Sequence, residues 1–146
     1  MLEHVLTEEM IQIKRQVNGW EEAIQSAARP LVEHAYVTDD YVNAMIENVN
    51  ELGPYIVIAP EIAIAHARPD DHVKKIGLSL LKLDQSINFA ENSHYASLVF
   101  VLAAVDEEQH LDMLSELANV LNDSGKVKQL KESAATSEIL NIIHKQ

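Results

Sequence analysis

Residues 55–72 read YIVIAPEIAIAHARPDDH. Tyr55 to Ala59 is a β-branched apolar run too short for an ordinary helix, Pro60 and Glu61 break it, and Ile62 to Ala65 resumes it. The run stops on a lone imidazole, His66, and turns at once into arginine, proline and acids. This predicts two short strands, or one bent strand, with a histidine delivered at the strand end.

The flanking texture alternates between the two periodicities. Upstream, MIQIKRQV (10–17) alternates Ile11 and Ile13 with polar neighbours, as a short strand does. Asn18 offers an N-cap for a helix from about Gly19, with Ala23, Ile24, Ala27, Ala28 and Leu31 at helical spacing and Pro30 expected to kink or interrupt it. Thr38, followed by Asp39 and Asp40, starts a second helix with Tyr41, Val42, Met45, Ile46 and Val49 on its apolar side, ending at Gly53 and Pro54. Downstream, KKIGLSLLKL (74–83) reads as a strand, and YASLVFVLAAV (95–105) as a strand buried on both faces. Asp106 then caps a helix, with Gln109 closing a capping box. Its inward stripe is Leu111, Leu114, Leu117, Ala118 and Leu121, with His110 at the first-turn edge. GKVKQLKES (125–133) is a short basic helix, and Thr136 caps a last one carrying Ile139, Leu140, Ile142 and Ile143.

Helices interspersed with four or five strands make an α/β protein: a small mixed β-sheet flanked by helices on both faces, a three-layer sandwich. With 146 residues, no repeat and no long linker, residues 1–146 are expected to form a single domain. There is no cysteine, hence no disulfide framework and no thiolate nucleophile. The first ten residues lack a signal-peptide pattern and no apolar run approaches membrane-spanning length, so the expected location is the cytoplasm. The formal charge of −12, from 23 acids against 11 bases, argues against nucleic acid and anionic lipid as partners. A basic docking protein suits the acidic surface better.

In open α/β sheets, ligands gather beyond the carboxyl ends of strands. His66 ends one strand and His110 opens the helix after another, so the two imidazoles are expected to share one rim. An imidazole is neutral and nucleophilic near pH 7, and can accept a group at one nitrogen while the other donates to a carbonyl that fixes the ring. Two bland readings compete: a loop histidine at 66, and a metal site built from His66, Asp70, Asp71 and His72 with His110 and Asp112. No His-Glu-x-x-His spacing supports the metal, and none is expected. The four glycines are scattered, so neither a P-loop nor a dinucleotide fingerprint is present and no cofactor is implied. His4, His34, His94 and His144 read as surface or packing histidines; Tyr36, Tyr41, Tyr55 and Tyr95 read as core edges, and Trp20 as packing.

APEIAIAHARP (59–69) followed by EEQHLDMLSELANVL (107–121) resembles the enzyme IIA component of the bacterial phosphoenolpyruvate-dependent sugar phosphotransferase system, in its mannitol/fructose class. GPYIVIAPEIAIAHARP (53–69) is similar to the ascorbate-type branch, and the likeness runs over essentially the whole chain. The resemblance implies the mannitol-type enzyme IIA fold and a phosphocarrier. His66 would take a phosphoryl group from the phosphohistidine of the carrier HPr as a tele-phosphohistidine intermediate, and pass it to a cysteine of the IIB component. His110 would stabilise the phosphoryl oxygens, and the membrane IIC permease would be served indirectly. The sugar would be ascorbate or a related sugar or polyol. Two positions depart from the family pattern: Glu61 stands where glycine is usual, and Ala65 where proline precedes the histidine. An arginine that some members carry on the preceding helix is also missing; Arg68 is the substitute for binding the phosphoryl group. Two other readings stand beside this one, a phosphorylation-sensing regulatory module of the same fold and a metal-dependent hydrolase. Monomer and homodimer both stay open.

Overall fold

The computed structural model describes residues 2–90 and 94–144. The chain runs α1 (Leu2–Val5), a 3₁₀ turn (Glu8–Met10), β1 (Ile11–Lys14), α2 (Trp20–Glu33) and α3 (Asp39–Leu52). The hairpin β2 (Val57–Ala59) and β3 (Glu61–Ala65) follows, then β4 (Gly77–Asn88), β5 (Tyr95–Ala103), α4 (Glu107–Leu121), α5 (Ser124–Glu132) and α6 (Thr136–His144). The five strands form one mixed sheet in the order β1-β4-β5-β3-β2. β1 runs parallel to β4 and β3 parallel to β5, whereas β4–β5 and β2–β3 are antiparallel.

Side-chain alternation along β4 divides the layers. Ser79 points to one face, where its hydroxyl donates to the Ala27 carbonyl of α2 at 2.6 Å. On that same face a side chain at Gly77 would meet Tyr36 at 2.7 Å and Leu31 at 2.8 Å, so the close approach of helix and strand requires glycine there. Lys82 points to the opposite face and donates to the Ser133 carbonyl, between α5 and α6, at 2.7 Å. Helices therefore cover both faces, α2 with α3 beside it on one side and α4 to α6 on the other, as the α/β pattern predicts. Leu98 to Ala103 are all buried, consistent with a strand enclosed from both sides. Among the described residues no helix is long and apolar enough to cross a membrane.

Several local expectations need correction. Asn18 does not cap α2; Gly19 occupies the cap position, and the Asn18 N–H donates to the Glu22 carboxylate at 2.6 Å. Pro30 does not end α2, which continues to Glu33. A proline at this place withdraws the N–H that would have bonded the Ser26 carbonyl, and the Gln12 amide of β1 supplies the replacement at 2.6 Å. Thr38 stands at the α3 cap position, but its hydroxyl makes no capping bond. Thr136 lies inside α6, and its hydroxyl donates to Glu8 at 3.1 Å. The strand read over 74–83 starts at Gly77 and runs on to Asn88. In α4 the buried stripe is Met113, Leu117 and Leu121, with Ala118 and Leu111 exposed, Leu111 at 65%. The helix turns its Met113 edge to the sheet and leaves Leu111 on the rim.

The break at Pro60–Glu61 makes a tight antiparallel connection, so the stretch is two strands. Glu61 adopts φ 71, a left-handed conformation that favours glycine. Its carboxylate accepts a hydrogen bond from the Ser86 hydroxyl of β4.

Candidate functional site

Because β3 and β5 are parallel, with Ala65 beside Val101, their carboxyl ends open on the same edge of the sheet. His66 follows the last residue of β3, and the short turn after β5 leads into α4 within one turn of His110. Asp106 caps that helix by accepting from the Gln109 N–H at 2.8 Å, and the Gln109 side chain accepts in return from the Val105 N–H at 3.2 Å. The cap orients the first turn of α4 and so the direction of His110. The two imidazole rings lie 5.0 Å apart, centroid to centroid, at 63°.

His66 is half-buried. Its Nδ1 lies 2.9 Å from the Ile64 carbonyl oxygen. A carbonyl can only accept, so Nδ1 carries a proton, and in the neutral ring the lone pair is left on Nε2. The phenol of Tyr55 meets the His66 ring edge-on at 5.4 Å, and its hydroxyl donates to the His66 carbonyl at 3.0 Å. The next backbone N–H, that of Ala67, donates to the hydroxyl of Tyr41 at 3.2 Å, and that hydroxyl donates to the Leu102 carbonyl at 2.7 Å. Burial pushes the Tyr41 phenol up to about 12, against the hydrogen bond from Ala67. Burial raises Tyr55 as well, partly offset by its hydrogen bond with Asn48.

His110 is also half-buried, and its Nδ1 is enclosed without a hydrogen-bond partner among the described residues. Burial holds its pKa below the ordinary histidine value; proximity to His66 acts in the same direction, and Glu107 opposes both. His110 is therefore neutral at pH 7. The two rings face an open cavity of about 570 Å³. Asn48 and Leu52 of α3, Tyr55, Arg68 and Asp70 complete much of its wall, with Glu107 and Leu111 on the α4 side. Arg68 is exposed on this wall and makes no ion pair with any described residue. The site thus brings together the Nε2 of His66, a second imidazole beside it and one exposed cation, Arg68: a setting for a compact anionic group.

The histidine–aspartate cluster disperses. Asp70 accepts from the His72 N–H at 2.8 Å in a turn, and His72 faces Asp40 of α3 at 3.9 Å. Among the described residues no three His, Asp or Glu side chains converge on a cation position. His34 and His144 bond the carbonyls of Pro30 and Leu6, as packing histidines do. Sequence reasoning missed the tyrosines of the site: Tyr41 is fully buried and Tyr55 is 37% exposed on the cavity wall. The antiparallel β2–β3 pairing was the available signal, since a hairpin brings the residue before β2 back beside the residue after β3.

Comparison with known proteins gives a consistent result. Residues 4–146 match the family described as phosphoenolpyruvate-dependent sugar phosphotransferase system, EIIA 2. The ascorbate-specific PTS system EIIA component of Salmonella choleraesuis is 31% identical over 135 residues, covering 91% of this chain and 88% of that protein. The solution structure of the mannitol-specific cryptic phosphotransferase enzyme IIA of Escherichia coli superposes with a TM-score of 0.92 at 28% identity, covering 99% of each chain. The mannitol enzyme IIA of Escherichia coli, in its complex with phosphorylated mannitol enzyme IIB, superposes with a TM-score of 0.85 at 28% identity over 97% of this chain and 98% of that one.

Proposed function

The chain belongs to the EIIA 2 family of the phosphoenolpyruvate-dependent sugar phosphotransferase system, whose members are phosphotransferase components, and from that premise we propose that His66 is its phosphoryl acceptor. The observation that carries the reading is the bond from Nδ1 to the Ile64 carbonyl, which leaves Nε2 as the only lone pair of the ring. The Nε2 lone pair attacks phosphorus as the P–N bond to the histidine of phospho-HPr breaks, and the HPr imidazole departs with the bonding pair. In the second step a cysteine thiolate of the IIB component attacks the same phosphorus, and the bonding pair returns to Nε2. Both displacements are in-line, so the site's work is positioning and charge stabilisation. His110, at the start of α4, donates to a phosphoryl oxygen, and Arg68 supplies the positive charge that the acidic surface otherwise lacks. In the mannitol relative's complex the partner is phosphorylated enzyme IIB, which supports a IIB component as the acceptor here; HPr and a membrane IIC permease complete the proposed chain of partners. The relatives' names support ascorbate or a polyol as the sugar.

Reconstitution with phosphoenolpyruvate, enzyme I and HPr tests the reading. Acid-labile, base-stable phosphate mapped by mass spectrometry is expected on His66 and absent from His66→Ala. His110→Ala is expected to slow transfer by about 10²-fold, the usual loss for one oxyanion-stabilising donor. Unchanged speed in that variant refutes the role given to His110. Onward passage to a IIB cysteine separates the carrier from a regulatory module of the same fold. Glu61, which together with Ala65 keeps the regulatory reading open, is bonded to Ser86 and does not line the cavity.

A further inference from the structure

We propose that Tyr55 and Tyr41 are positioning residues that clamp, from its two ends, the peptide unit joining His66 to Ala67. The inference rests on the reading of His66 as phosphoryl acceptor.

The β3 ladder ends at Ala65, opposite Val101. The peptide that follows His66 lies past the last residue of β3, although it carries the side chain that must be held still. Two phenols take the ladder's place. The Tyr55 hydroxyl donates to the carbonyl of this peptide at 3.0 Å, and its N–H donates to the Tyr41 hydroxyl at 3.2 Å. Both phenols are themselves tied to the scaffold. Tyr41 delivers its single proton to the Leu102 carbonyl at 2.7 Å, near the end of β5, and lies fully buried on α3. Tyr55 is bonded by Asn48, one helix turn before the end of the same helix. One peptide plane is thereby referred to α3 and β5 together.

The consequence falls on the imidazole. With the 66–67 plane fixed on one side and Nδ1 tied to Ile64 on the other, the ring has neither backbone nor side-chain freedom to turn Nε2 out of line. In-line transfer is sensitive to such displacement, a misplacement of about 1 Å costing up to about 10²-fold. Tyr55 also meets the His66 ring edge-on at 5.4 Å, so the ring contact and the hydroxyl bond are separable by a substitution that keeps the ring.

Tyr55→Phe is that substitution, and the half-exposed site makes it compatible with folding. The parent and variant are phosphorylated by phospho-HPr and, separately, by phosphoramidate, a small P–N donor that needs no docking surface. In parallel the ¹⁵N shifts of the His66 ring are recorded. The expected result is a maximal transfer rate about tenfold lower with both donors, an unchanged half-saturating concentration of phospho-HPr, and a His66 ring that shifts from one tautomer toward a mixture. Asn48→Ala, which loosens Tyr55 without touching the peptide, is expected to give a smaller change of the same kind. Parent rates in Tyr55→Phe, or a loss seen only in the half-saturating concentration, or an unaltered tautomer, would each overturn the clamp. Failure of the parent itself to take label on His66 refutes the acceptor reading instead, and the ring shifts then still report whether the hydroxyl holds the imidazole.

Discussion

His110 occupies a setting that disfavours its own charge, since burial and His66 both lower its pKa while Glu107 works against them. A group with a folded pKa below its unfolded value binds fewer protons in the folded chain, so its contribution is favourable above the unfolded value. That contribution declines as pH falls through about 6.5 toward the folded value. Urea unfolding of the parent and of His110→Gln at pH 7.5, 6.5 and 5.5 should show the parent losing its relative advantage on the acid side. A difference that stays flat with pH would mean that the ring is solvated. In the phosphorylated protein the direction reverses, because a neighbouring dianion favours the imidazolium; an NMR titration should find His110 titrating at higher pH after phosphorylation than before. That His66 stands at a strand end was legible in the chain, because a β-branched run ending on an imidazole is a local pattern. The part played by Tyr55 was not, because a tyrosine's partners are chosen by the hairpin that follows it.

At the scale of elements, the β2–β3 turn carries a non-glycine residue in the left-handed region, Glu61 at φ 71. A carboxylate side chain tolerates this with help from Ser86; a β-branched one does not. Glu61→Val should destabilise by about 1–2 kcal/mol, whereas Glu61→Gly should hold or raise the thermal midpoint, since glycine visits this region without penalty. Differential scanning calorimetry of both variants checks the pair, and equal midpoints would show that the turn relaxes to another conformation. The five strands and helices α2 to α6 were readable from period and turn residues, and the Asp106–Gln109 cap from residue type and spacing, whereas α1 was not. The expected interruption at Pro30 is absent because propensity counts the N–H a proline removes and cannot see Gln12, fourteen residues before Ser26, arriving from β1 to serve that residue's orphaned carbonyl. The stripe of α4 was misassigned for a related reason: Leu111 and Met113 are both apolar, and only the packed sheet chooses which of them turns inward.

At the scale of the whole molecule, the sheet is joined to its far helical layer by a buried cation. Lys82 is 5% exposed, donates to the Ser133 carbonyl at 2.7 Å and lies 3.3 Å from Asp84, itself half in solvent. Lys82→Met keeps the stem and removes the ammonium, leaving the Ser133 carbonyl unpaired between α5 and α6. A loss of about 1–3 kcal/mol is expected in chemical denaturation; a gain would show that desolvation of the amine outweighs its bonds. The sequence by itself determined the alternation of strands and helices, the α/β class and the imidazole at the end of β3, because hydrophobic period and turn chemistry act over a few residues. Only the tertiary structure decided that β3 and β5 lie side by side in parallel, that His66 and His110 therefore stand 5.0 Å apart, and that two tyrosines grip the peptide between His66 and Ala67. Those are contacts between segments distant along the chain, and they depend on strand order and register, which no local period encodes.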